Sequence, residues 1–213
     1  MPFFEPLPPV EPEPIEEHPS GWQPPIWDRP SEALLGAPVP LSALLAKTDR
    51  CAIALSHLEA YPNGFAFEIV IVGNPMGPRT GPQTGPLGMG RPFALRGPRV
   101  GMELADGKRV GDGVALPGVP IIAGRHTTVP ILKKDKQGIP TEPILRHQGG
   151  GGGNQHFAMR YWCFPLPPPG PLKVFTEWAS AEIAETMTML DAGPILDAST
   201  RVVTIWDAPS ESS

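Results

Sequence analysis

Two short alternating segments on either side of a proline-rich link constrain this chain more than any other feature. Residues 155–164 (QHFAMRYWCF) set Phe157, Met159, Tyr161 and Cys163 against Ala158, Arg160, Trp162 and Phe164. That is the two-residue period of a strand, and towards its end both faces are apolar. Residues 165–171 stop it. From 172 to 179 the alternation resumes, with Val174, Thr176 and Trp178 against Phe175, Glu177 and Ala179. The reading is two strands flanking a connection stiffened by five prolines and turned at Gly170. Five glycines, 149–153, precede the first strand. They lack the lysine and the strand-to-helix context of a phosphate loop, so they are expected to form a flexible hairpin tip.

The same period recurs elsewhere. Cys51, Ile53 and Leu55 lead to the turn Tyr61-Pro62-Asn63-Gly64, and Phe65, Phe67, Ile69 and Ile71 return from it. Val70 and Val72 make the other face of that second strand apolar too, which predicts a central strand covered on both sides. Residues 39–45 read as a strand, although Leu41, Leu44 and Leu45 also fit one helical turn. Val100, Met102 and Leu104 reach Asp106-Gly107, a tight-turn pair, and 108–110 return from it. Short strands are expected at 127–132, 144–148 and 185–191, with a polar turn at 135–140 and a helix over 194–206. Residues 73–98 have no sustained period and read as a long loop with one short paired piece near 93–95.

With 31 prolines and 24 glycines among 213 residues, turn and loop must be abundant and long helices scarce. The fold class expected is therefore mainly β: a two-sheet antiparallel sandwich of Ig-like or jelly-roll type with a short C-terminal helix. Residues 1–40 differ in kind, holding twelve prolines, seven carboxylates and one cation, Arg29. Residues 1–38 are accordingly expected to be a disordered acidic tail, 39–207 a single domain, and 208–213 a second disordered end. Phe3, Phe4, Trp22 and Trp27 punctuate the acidic tail as bulky anchors, the construction of a docking segment.

A net charge of −5 offers no general attraction to phosphate backbones or anionic lipid, so nucleic acid and membranes are not expected partners. The opening residues lack the basic start and unbroken apolar stretch of a secretory signal, and no run nears the ~18 apolar residues of a membrane span. A soluble, cytoplasmic protein is expected. Cys51 and Cys163 lie in apolar runs, where a free thiol packs as a small hydrophobe.

The glycine run with the two aromatic strands and PLPPPGPL, together with KTDRCAIALSHLEAYPNGFAFEIVI and ILDASTRVVTIW, resembles a group of uncharacterised proteins from high-GC actinobacteria. The resemblance spans roughly residues 40–206. It implies a bacterial, cytoplasmic, single-domain protein and transfers no catalytic residue, because the group has no known activity.

No residue pattern for catalysis stands out. His147 and His156 flank the glycines and would approach one another if the flanking strands paired across a loop, but a third ligand is missing nearby, so neither a metal nor another cofactor is expected. Cys163 sits between Trp162 and Phe164, surroundings that raise a thiol pKa. There is no G-x-S-x-G elbow. Lys133, Lys134 and Lys136, interrupted by Asp135, read as a solvated turn. The expectation is a non-catalytic interaction or structural sandwich that contacts a protein partner through its loops and acidic tail. The alternative is a small-molecule-binding, carbohydrate-binding or hydrolytic sandwich using His147, His156, Tyr161 and Trp162 as a patch.

Overall fold

The computed structural model describes residues 25–76, 97–111, 133–153 and 155–206. Its centre is the hairpin expected from the sequence: β4 (Cys51–Tyr61) and β5 (Gly64–Gly73) pair from Tyr61↔Gly64 to Cys51↔Gly73. A bulge between Ser56 and Glu59, with His57 at φ 48°, interrupts the ladder. On the other flank of β5 lies β9 (His156–Phe164), and β8 (Ile144–Gly152) closes that edge. β2 (Ala37–Val39) and β3 (Ala43–Lys47) both pair with β4. The single strand expected over 39–45 is thus two. Pro40 lacks the N–H that would continue the first ladder, and the chain pairs again further along β4.

A second antiparallel sheet has the order β11-β10-β6-β7, formed by β6 (Arg99–Glu103), β7 (Arg109–Gly111), β10 (Pro171–Trp178) and β11 (Ile183–Asp191). Gly107, at φ 82°, turns the β6–β7 hairpin as the Asp-Gly pair predicts. Phe65, Phe67, Ile69 and Ile71 of β5 share one buried cluster with Tyr161 and Cys163 of β9 and with Val100, Met102, Leu172, Val174 and Trp178 of the second sheet. Two antiparallel sheets therefore meet across a common core.

The outer face of the larger sheet carries its own cluster: Tyr61, Ala66, Trp162 and Phe164, covered by Trp27, Leu34 and Ile139. β5 is central and covered on both sides here, as its two apolar faces require.

Three boundaries depart from expectation. Residues 25–38, assigned to the disordered tail, are packed: besides Trp27 and β2, β1 (Leu34–Leu35) pairs with β12 (Val203–Thr204). The helix expected over 194–206 is α1 (Gly193–Ser199). Ser199 Oγ and Thr200 Oγ1 donate to the Leu196 and Asp197 carbonyls at 2.7 and 2.8 Å, and β-branched Val202 and Val203 favour extended backbone beyond. Of the face assigned to that helix, Ile195 is buried, whereas Trp206 is 69% exposed.

The third departure is the glycine run. Gly149–Gly152 are not a hairpin tip but the end of β8, paired from Gly149↔Arg160 to Gly152↔Phe157. β9 lies so close that a Cβ on Gly150 would occupy the space of the Ala158 carbonyl oxygen and stand 3.2 Å from Met159 Cα. Only a residue without a side chain allows that approach. The strand expected at 127–132 and the paired piece near 93–95 lie outside the described residues, as do Phe3, Phe4 and Trp22.

Candidate functional site

Where the N-terminal segment meets the outer face of the larger sheet, polar side chains converge on a turn at residues 26–28, which the Asp28 N–H closes by donating to the Pro25 carbonyl at 2.9 Å. Asn63 Nδ2, from the β4–β5 turn, donates to the Ile26 carbonyl at 2.7 Å. Trp162 Nε1, on β9, donates to the Trp27 carbonyl at 3.1 Å. Gln148 Nε2, on β8, donates to the Asp28 carbonyl at 2.9 Å. Three consecutive carbonyls are thus held by three side chains from three different parts of the sheet. Side-chain donors can grip a main chain in this way without reading its sequence.

The side chain of Trp27 supplies the specific contact. Lys134 Nζ lies 4.7 Å from the centre of its ring and the Arg146 guanidinium 5.7 Å, both within cation–π reach. Arg146 Nε is also 3.3 Å from Asp28 Oδ1. Lys134 is placed by the 133–140 turn, where Asp135 Oδ1 accepts from the backbone N–H groups of Gln137 and Ile139, both at 2.9 Å, and Gly138 adopts φ 80°. The lysines expected to be a solvated turn therefore include one that packs over an aromatic ring. Beneath Trp27, Trp162 meets Tyr61 edge-on, with ring centres 5.5 Å apart.

Of the anchors expected in the acidic tail, Trp27 is the one within the described residues, and it is seated on the domain. The alternative patch does not assemble. Tyr161 and Trp162 are 1% and 0% exposed, on opposite faces of β9: Tyr161 stacks with Phe67 in the main core and Trp162 lies under Trp27. His147 pairs with Tyr161 across the ladder, while His156 lies five residues away along β9. At ~3.4 Å per residue the two histidines are about 17 Å apart along the strand. Pairing through the glycines keeps them apart, because the run is strand rather than loop. His147 instead meets the edge of the Tyr161 ring at 5.4 Å.

The thiols are both free and buried. Burial pushes Cys163 up to about 12 and also raises Cys51, against the smaller opposing effects of the Thr48 hydroxyl and the Arg50 charge. Among the described residues, no three His, Cys, Asp or Glu side chains gather as a metal site would require, and no helix is long and apolar enough to cross a membrane.

A second polar constellation lies on the outer face of the smaller sheet. Glu103 accepts from Lys173 Nζ and Arg109 Nε, each at 2.6 Å, from the strands on either side. The Lys173 and Arg109 hydrogen bonds hold the Glu103 carboxyl below its ordinary range.

No family model matches the chain, and no curated protein or solved structure matches it either.

Proposed function

We propose that this chain is a non-catalytic, cytoplasmic β-sandwich of Ig-like or jelly-roll type that works by contact with another protein, through its loops and its acidic, proline-rich N-terminal segment. The supporting observation is the cradle around residues 26–28, in which loop and strand side chains hold three successive carbonyls and two cations lie against the Trp27 ring. Such a cradle is suited to gripping the main chain of a peptide turn through its carbonyls. The central aromatics support the same reading, because Tyr161, Trp162 and Trp178 are buried and do not themselves offer a stacking face to a sugar or base. Upstream of the cradle, residues 1–24 carry Phe3, Phe4 and Trp22 among five carboxylates with no lysine or arginine. A basic, apolar-pocketed partner surface complements that composition. Two reduced, buried thiols accord with the cytoplasm.

Proximity labelling in the native host tests this, comparing the wild-type chain with one carrying Phe3→Ala, Phe4→Ala and Trp22→Ala together. A protein labelled by the first and lost with the second, at unchanged unfolding midpoint, is the expected result. Identical labelling by both would refute the segment as the contact.

A further inference from the structure

On the opposite side of the molecule, the outer face of the smaller sheet exposes apolar side chains that no described residue covers. Met187 and Met189 of β11 are 50% and 61% exposed. Register aligns Met187, Phe175, Gly101 and Gly111 as one row across all four strands. The two glycines leave the row open beside the Phe175 ring. A Cβ on Gly101 would meet nothing nearer than 3.4 Å, so contacts within the chain do not demand a glycine there.

The rows on either side are charged, with opposite sums. On one side stand Glu177 and Arg99, joined at 2.8 Å, with Glu185, two residues before Met187, on the same face of β11, for a sum of −1. On the other stand Lys173, Glu103 and Arg109, for a sum of +1, with the exposed Met189 in the same row on β11. A two-fold axis along the apolar row would lay each charged row over the opposite row of a second copy. Strand by strand, Glu177 on β10 would then face Lys173 of the other molecule, Arg99 on β6 would face its Glu103, and Met187 and Phe175 would face their own counterparts, while Glu185 would lie over Met189 at the β11 edge. On β10 and β6 the charges are self-complementary, as an isologous interface requires.

We propose that the outer face of the β11-β10-β6-β7 sheet is a homodimer interface whose occupant is a second copy of this chain. It does not depend on the function proposed above, which concerns the other sheet. Four strands ~4.8 Å apart and five residues long give a footprint of about 300 Å² on each copy. With the relief of its side chains, total burial is on the order of 1,000 Å², at the low end for specific interfaces. An interface of this size is that of a reversible, transient dimer.

Sedimentation equilibrium of the full chain, from about 1 µM to about 1 mM, tests it. Expected are a monomer–dimer equilibrium that weakens with salt, abolition by Met187→Glu, weakening by about tenfold in Glu177→Lys, and recovery when Lys173→Glu is added to Glu177→Lys. Met187 is half exposed, so an unchanged unfolding midpoint will confirm that Met187→Glu still folds; the charge swap is an independent arm. A chain that stays monomeric throughout overturns the proposal. So does a dimer indifferent to Met187→Glu and to the charge swap. A monomer in which Met187 resists peroxide oxidation would also overturn it, and would identify another segment of the chain as the cover.

Discussion

Replacing single glycines in the run distinguishes a steric requirement from a compositional accident. Gly150 faces the backbone of β9, where an alanine Cβ would fall on the Ala158 carbonyl oxygen and 3.2 Å from Met159 Cα. These are backbone atoms that cannot rotate away, so β8 must move off β9 and strain the ladder on either side. Forcing a methyl group into such a contact costs about 1–3 kcal/mol. Gly151, one residue on, has no atom within 4 Å of its would-be Cβ and no positive φ, so alanine there is neutral or gains up to about 1 kcal/mol by restricting the unfolded chain. For a chain of this length a cost of about 2 kcal/mol lowers the unfolding midpoint by about 4–8 °C. Calorimetry on Gly150→Ala and Gly151→Ala is the assay: the first should melt lower by that amount and the second at or slightly above the wild-type midpoint. Equal midpoints for the two variants would show that β8 yields freely, and that the strand pairing through the run is not what holds the glycines.

Trp162→Ala should destabilise by about 3–5 kcal/mol, and Trp162→Phe by about 1 kcal/mol through the lost Trp27 carbonyl bond; wild-type stability for both in urea unfolding would place Trp162 outside the packing described. Removing residues 1–36 takes Trp27 and Leu34 off Trp162 and should lower the midpoint by about 10 °C; an unchanged midpoint would mean that this segment rests on the sheet without stabilising it. Cys163, pushed up to about 12, keeps its proton in the fold while an unfolded thiol loses it near pH ~8.5. Its contribution to stability is therefore complete below pH ~8.5 and lost as pH rises towards 12, which urea titrations at increasing pH will show. Glu103 has the opposite sign: its carboxyl is lowered, so its ion pairs contribute above the ordinary value of 4.5 and are lost as pH falls, an effect that Glu103→Gln should remove.

The mainly β character and the central hairpin were legible because alternation and turn chemistry are local. Residues 51–73 carry an apolar period on both sides of Pro62-Asn63, and no distant residue is needed to read it. The glycine run misled for a definite reason. Glycine has no side chain to alternate, so a strand made of it leaves no period, and flexibility is then the default reading. The cue available was indirect: a five-glycine stretch between two apolar segments also fits a strand pressed against its neighbour's backbone. Helix α1 ended early because the apolar positions 202 and 203 fit the helical period, yet hydroxyl groups at 199 and 200 compete for the carbonyls that would carry it on.

The N-terminal cover was harder to read, and the reason lies in how sheets are closed. Ala66 and Trp162 are adjacent in the ladder, and both point away from the main core. A strand apolar on both faces, as β5 and the end of β9 are, requires a second cover, and that requirement is written in the strand itself. The identity of the cover is not, because Trp27 and Leu34 sit in short apolar pairs, with Ile26 and Leu35, in a proline-rich stretch with no period to reveal which way they point. Their docking uses main-chain carbonyls as much as side chains, and every residue has a carbonyl. The donors gave no sharper signal, since Asn63 is accounted for as a turn residue and Gln148 as the end of a strand before the glycines. Only the paired sheet brings Asn63, Trp162 and Gln148 into line, so the site belongs to the register of β5, β9 and β8 rather than to any local motif.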